Sequence, residues 1–419
     1  MERRIIISAS VAHAMTHSLE LTFAALLLRI GAEFGVALAT LGVIANAGTF
    51  TFGATALPAG YLTDRFGPRT VVAGCMALAA ACSVLVALSP TVIFLAVALA
   101  VLGAAIGFYH PAGTAMVATV SNRRGLAFAA HGVAGNIGVA MVPALAVGVA
   151  ILVDWRAAYL LLAVAAAVVA LLVYRLAPSR DEWARSSAAA ARAPLSRGDR
   201  KLPRTSPPEQ RGWFSPPLLL IYVCSIGLGF IYRGALTFLP VHMEEHLGIS
   251  IFGWGPAAIA GAFTSLVLMA AIGGQVLGGV LSDRMPVERA AVPIVLISFP
   301  MLAAVSAAGG VGLLVATAAF VVANFAQQPI FNGLIADYAP PHAAGKAFGI
   351  SFFLTFGVGS FAASIAGLIA DRSGTSGSFA MLSMVGAALA AVTLMVALGA
   401  ERRRGGMDTS ALREGVPGS

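Results

Sequence analysis

His13, His17 and Glu20 lie four and three residues apart inside one strongly apolar stretch near the N-terminus. At helical spacing all three share one face. A carboxylate next to two imidazoles, held away from bulk water, can take up, hold and pass on a proton. Glu20 is the candidate carrier, with His17 and His13 as its partners; the alternative is a static His17–Glu20 pair that merely supports the helix. Arg233 is a basic side chain deep in a second apolar stretch. It could form and break a salt bridge with that acid or clamp an anionic substrate, or instead snorkel toward the nearer end of its helix. Polar residues also gather around two prolines: Tyr109 and His110 before Pro111, and Gln327 and Gln328 before Pro329, with Asn324 and Asn332 close by. A proline bends a helix and frees carbonyls that need polar partners or water. Tyr109, His110, Gln327 and Gln328 are therefore candidate substrate-binding groups, joined by Asn46, His131 and Asn136.

Other chemistries find little purchase. His13, His17, His110 and His131 all fall in apolar stretches, and two histidines at i and i+4 can ligate one ion. The methionines are scattered, however, so no metal site is assigned and no cofactor is called for. The run His242-Met243-Glu244-Glu245-His246 reads as a solvated rim. Cys75, Cys82 and Cys224 show no ligand spacing and read as small apolar fillers. The chain has no GxxxxGK[ST], GxSxG or HExxH pattern, which argues against an enzyme and against ATP as a direct energy source.

The elements that must position these residues follow from composition. Of 419 residues 59% are hydrophobic and only 11% charged, against roughly 25% charged in a soluble domain. Mean hydropathy is +0.89. Apolar runs of about 20 residues select membrane-spanning helices over a barrel. Twelve runs are predicted as spans: 5–31, 40–62, 71–89, 91–118, 126–152, 156–177, 217–243, 252–281, 290–308, 311–336, 346–370 and 378–399. Residues 178–212, rich in Arg, Ser, Ala and Pro, read as a disordered cytoplasmic linker. The expected division is a six-helix bundle at 1–177, the linker, a second bundle at 213–400 and a cytoplasmic tail at 401–419.

Placing both termini in the cytoplasm leaves only Arg29, Arg156 and Arg372 on the outer side and Arg233 within a span; the rest of the 26 Lys and Arg then face inward. The net charge of +8 is thus topogenic, needs no nucleic-acid partner, and leaves contact with anionic lipid as a lesser use. A multi-pass protein of the inner (plasma) membrane is expected. Arg3 and Arg4 ahead of Ile5-Ile6-Ile7 loosely imitate a signal peptide, but cleavage would remove the first span, so retention is expected.

One motif ties the two bundles together. Gly60-Tyr61-Leu62-Thr63-Asp64-Arg65 recurs as Gly279-Val280-Leu281-Ser282-Asp283-Arg284, and the first copy continues through Gly67 and Arg69. Both loops resemble the signature GxLxDRxGxR loop of the major facilitator superfamily. The resemblance implies an all-α membrane protein with twelve transmembrane helices in two six-helix pseudo-repeats, working by alternating access around a midplane site. It also implies a conformational latch made by Gly60, Asp64, Arg65, Gly67 and Arg69, with Asp283 and Arg284 as the second copy. Gly60 and Gly279 would permit close helix approach, and Asp64 would pair with an Arg or a helix N-terminus when the cytoplasmic side is shut. Gly107-Phe108-Tyr109-His110-Pro111, Arg124-Gly125-Leu126-Ala127, Gly132 through Gly138, Ser10-Val11-Ala12-His13 and Gly367-Leu368-Ile369-Ala370-Asp371 resemble the fosmidomycin-resistance branch. His17 stands where that branch has an acid, and Val142-Pro143 where it has Gly-Pro. The implied function is a gradient-driven, proton-coupled efflux carrier for a small organic molecule or drug, monomeric by family default. The rivals are an uptake symporter for an organic anion, suited to Arg233, and a transport-dead sensor or scaffold.

Overall fold

A computed structural model describes residues 1–117, 124–185, 215–251, 253–339 and 344–414; the side chains of 124–126, 129, 344–346 and 403–414 are outside that description. Arg123 and the linker's basic residues beyond Arg185 therefore lie outside the described residues. The described chain is all-helical: α1 (Glu2–Ala25), α2 (Leu27–Phe34), α3 (Leu38–Phe66), α4 (Pro68–Ala87), α5 (Val92–Gly107), α6 (Tyr109–Val117), α7 (Arg124–Leu152), α8 (Trp155–Leu176), α9 (Pro216–His246), α10 (Pro256–Arg284), α11 (Val287–Ala307), α12 (Gly310–Tyr338), α13 (Ala344–Phe352), a π-helical turn (Phe353–Val358) and α14 (Phe361–Glu414). Among the described residues ten helices are long and apolar enough to cross a membrane, or eleven if the pair α1–α2, bent by 49°, is one span.

Three predicted spans are interrupted. The first breaks at Leu26. The fourth breaks at Phe108, because Pro111 has no N–H and its ring crowds the carbonyl four residues back, that of Gly107. The eleventh carries the π-helical turn. The tenth continues as one helix through Pro329. The last helix runs from Phe361 to Glu414 with non-helical backbone at Ser373 and Gly374 inside it. At the linker, residues 180–185 are helical rather than disordered. Ser179 and Glu182 form a reciprocal capping box: the Ser179 N–H donates to Glu182 (2.7 Å) and the Glu182 N–H to the Ser179 hydroxyl (3.3 Å). The first of these bonds holds the Glu182 carboxyl below its ordinary range.

The loops bearing the repeated motif turn in different ways. Gly67 takes φ +81°, closing α3, and Pro68 opens α4 at the position where a missing N–H costs nothing. The second copy lacks that glycine and turns through extended Met285 and Pro286 instead.

Helices up to Leu176 pack chiefly among themselves, as do those from Pro216 onward, and the two groups meet along α3–α14 and α7–α10. Small residues set these approaches. A Cβ on Gly53 would overlap the Gly357 backbone, and one on Gly103 the carbonyl of Gly48. Gly103→Ala is therefore expected to cost about 1–3 kcal/mol through overpacking. Gly60→Ala or Gly279→Ala, where a Cβ meets nothing within 4 Å, should stay within about 0.5 kcal/mol. Equilibrium unfolding in mixed micelles checks the contrast. The close helix approach expected at Gly60 and Gly279 is thus absent in this conformation.

Candidate functional site

α1 presents His13, His17 and Glu20 on one face, and α9 brings Arg233 against it. The Arg233 guanidinium forms an ion pair with Glu20, and both side chains are 2% exposed. Charged groups in mid-membrane cost about 2.5–3.5 kcal/mol each on insertion scales, which is why they meet each other here. The second Glu20 oxygen lies 2.5 Å from His17 Nδ1. His17 Nε2 lies 3.1 Å from His13 Nε2, and His13 Nδ1 lies 2.7 Å from the backbone carbonyl oxygen of His131. The His131 ring stacks on His13 at 4.0 Å, and its Nε2 is 2.9 Å from the Tyr109 hydroxyl, which also donates to the carbonyl of Ala9. α1, α6, α7 and α9 thus converge on one buried polar chain, running from Arg233 through Glu20 and His17 to His13.

Counting hydrogens along that chain is informative. A carbonyl can only accept, so His13 Nδ1 carries a hydrogen; an ionised Glu20 likewise requires one on His17 Nδ1. Neutral imidazoles have then no hydrogen left, and their Nε2 lone pairs face each other at 3.1 Å. Closing the contact takes a further proton on the chain, shared among Glu20, His17 and His13, or a cation between the two nitrogens.

Aromatic side chains wall the site. Arg233 sits over Phe52, Tyr232 and Phe356 at 5.7, 5.4 and 5.5 Å from the ring centroids, within cation–π range. Phe356 comes from the π-helical turn, a distortion common at functional sites. Phe356 also stacks on His110, with ring centroids 6.1 Å apart. The His110 ring also lies 5.2 Å from both His13 and His17, and its Nε2 is buried without a hydrogen-bond partner. A cavity of about 40 Å³, space for a few waters, opens at Glu20 and Arg233 between α1, α3, α5 and α9.

The family model of the Major Facilitator Superfamily matches residues 6–364. The chain belongs to the Major Facilitator Superfamily. Its apolar helices and its family make it a multi-pass membrane protein of a transporter family. A probable sulfoacetate transporter, SauU, of Cupriavidus necator is 27% identical over 257 residues, which cover 60% of this facilitator and 58% of that protein, under two thirds of its length. The inward-facing, unoccupied structure of a bacterial homolog of the human lysosomal transporter Spinster matches with a TM-score of 0.73 at 14% identity, covering 96% of this chain and 98% of that one. The peptide transporter POT in complex with sulfate also matches with a TM-score of 0.73, at 15% identity over 95% of each chain. These two share the facilitator's fold.

The remaining predicted residues of this facilitator are spread out. Asn46 accepts a hydrogen bond from Ser360 (2.6 Å) and Asn136 donates to the carbonyl of Ala271 (3.4 Å), so both lie where the two helix groups meet. Gln327 is buried with its Oε1 unpartnered, whereas Gln328 is exposed. Asp64, Arg65, Asp283 and Arg284 are exposed, and no ion pair joins them to another described residue. Arg65 contacts Tyr61 and Phe66, and Arg69 lies over Tyr174 at 4.4 Å. Gly67 is backed by Arg180. One residue stands out that no role was predicted for. Asp371 accepts from the backbone N–H groups of Leu38 and Ala39, each at 2.9 Å, capping the N-terminus of α3 from the other helix group. The cue in the sequence was an acid just after an apolar stretch; its partner, a helix end, carries no side-chain signature.

Proposed function

We propose that this facilitator carries a small organic anion together with a proton by alternating access. The carrying observation is the buried Glu20–Arg233 ion pair at a cavity. Arg233 is neutralised by Glu20 until a proton reaches that carboxylate. Once Glu20 is protonated, the guanidinium is free to take a carboxylate or sulfonate, which suits a fork of N–H donors. Proton and anion then bind together and move in the same direction, inward when the proton gradient is inward. His17 and His13 hold the proton close to Glu20, Tyr109, His110 and His131 back them, and Thr49 and Thr237 share the cavity lining with Glu20 and Arg233. The likeness to a probable sulfoacetate transporter agrees with an anionic cargo.

The helices support twelve spans when α1–α2 counts as one and α14 is divided at Ser373–Gly374, giving six-helix halves at 1–177 and 213–400. With the basic ends in the cytoplasm of the inner membrane, the outer side is closed by Asp371 on α3 and the inner side, where Asp64 and Asp283 have no ion-pair partner among the described residues, is open. Asp64 engages when the inner side shuts. A second reading, proton-coupled drug efflux, is favoured by the segments resembling the fosmidomycin-resistance branch, since Ser10–His13 and Gly107–Pro111 build the histidine cluster. It requires a substrate that competes with the proton for Glu20.

Glu20→Gln in proteoliposomes is the test. Uphill transport driven by a pH gradient should be lost, while exchange of anion across the membrane persists. Full uphill transport in Glu20→Gln would show that Glu20 is not the carrier.

A further inference from the structure

His13, His17 and His110 contribute one ring nitrogen each to a buried cluster in which all three atoms lie within 4.8 Å of one another. The outer nitrogens of two of them are already oriented as metal-ligating histidines usually are: His17 Nδ1 on the Glu20 carboxylate at 2.5 Å, His13 Nδ1 on the His131 carbonyl at 2.7 Å. Those bonds leave the Nε2 lone pairs of His13 and His17 converging at 3.1 Å. Nitrogens bound at 2.0–2.1 Å around a tetrahedral ion stand about 3.3 Å apart, close to that separation. The third nitrogen is supplied by His110, whose Nε2 is buried without a partner; since the three ligand atoms lie within 4.8 Å of one another, the widest gap has to close by at most about 1.5 Å to reach the same spacing. Phe52 and Phe356 wall the cluster beside His110. The other histidine cluster, His242, Glu245 and His246, lacks these properties, because both ring nitrogens of His242 are engaged by Thr375 and the Val305 carbonyl.

We propose that His13, His17 and His110 form a three-histidine site for a borderline transition-metal ion of the zinc class, with an open fourth position. Imidazole is a favoured ligand for such ions, and three protein ligands plus one open position is the arrangement that leaves room for water or an anion. Binding at this site stands independently of the transport cycle. Its consequence rests on the proposed cycle: an ion between His13 and His17 occupies the point where the proton is held, so the metal inhibits transport.

Zinc titrated calorimetrically into the purified full-length protein, without substrate or pH gradient, tests the site. Wild type should bind a single ion per chain. Glu20→Gln, which replaces the carboxylate behind His17 with a neutral amide, should weaken binding roughly 10–100-fold, His110→Gln should weaken it further, and His246→Gln should leave it unchanged. Cobalt(II) gives a second readout that needs no variant: an intense tetrahedral ligand-field spectrum is expected. Wild-type affinity in His110→Gln, loss of binding in His246→Gln, or a pale octahedral cobalt spectrum would each overturn the proposal. Zinc that binds as described but leaves transport unaffected would refute the proton position in the cycle and not the metal site.

Discussion

Replacing Arg233 with Gln is expected to abolish transport of an anionic substrate and to destabilise the protein by about 3–5 kcal/mol, because it strands an ionised or freshly protonated Glu20 in a buried site. Glu20→Gln alone strands the guanidinium and should be costly for the same reason. The double variant removes both charges, and its cost should fall well below the sum of the two single costs. Arg233→Lys keeps the charge but not the planar fork, so it should recover stability better than transport. Equilibrium unfolding in mixed micelles gives the double-mutant cycle. Additive costs would mean that the two side chains are not energetically coupled, and the exchange between proton and anion would lose its basis.

The second large effect concerns the balance between the two faces. Asp371→Asn removes the charge that caps α3 through Leu38 and Ala39. A cap with charge at a helix N-terminus contributes about 1–2 kcal/mol. Its loss should therefore shift the population roughly 5–30-fold toward the state open at that end. Asp64→Asn should shift the balance the other way, since Asp64 is exposed, has no ion-pair partner among the described residues, and on the proposed cycle gains one when its own side closes. Asp283→Asn, in the copy that lacks the later glycine, should do less than Asp64→Asn. Distance distributions between spin labels across each end would report both shifts. The same direction of shift in Asp371→Asn and Asp64→Asn would contradict opposed latches.

The spans were legible because hydrocarbon imposes run length, and an ionisable residue inside such a run must find a partner or water. That rule singles out Glu20 and Arg233 from the sequence, and the fold sets them face to face. The break at Phe108 was foreshadowed by Pro111. The break at Leu26 was not, since neither a proline nor a glycine marks it. Other parts of the site were hidden for physical reasons. His13 is held by the backbone carbonyl of His131, and main-chain partners leave no trace in residue type. Phe52 and Phe356 are two among 23 phenylalanines, and the π-helical turn that aims Phe356 has no sequence signature of its own. Gln328 shows the reverse failing: a polar residue beside a proline looked like lining, yet its helix turns it outward. Asn46 and Asn136, read as binding groups, each make a hydrogen bond across the seam between the two helix groups, because such a seam between membrane helices also needs satisfied polar atoms.

Proton uptake on substrate binding tests the central coupling most directly. Short carboxylates and sulfonates would be added to the purified protein in weakly buffered detergent solution, with a pH-indicating dye and a parallel measurement of bound anion. If Arg233 becomes available only when Glu20 is protonated, each anion that binds near neutral pH takes up a proton, the medium turns more alkaline, and Glu20→Gln loses the signal while still binding. An anion that binds tightly with no uptake, or with proton release, would contradict the account.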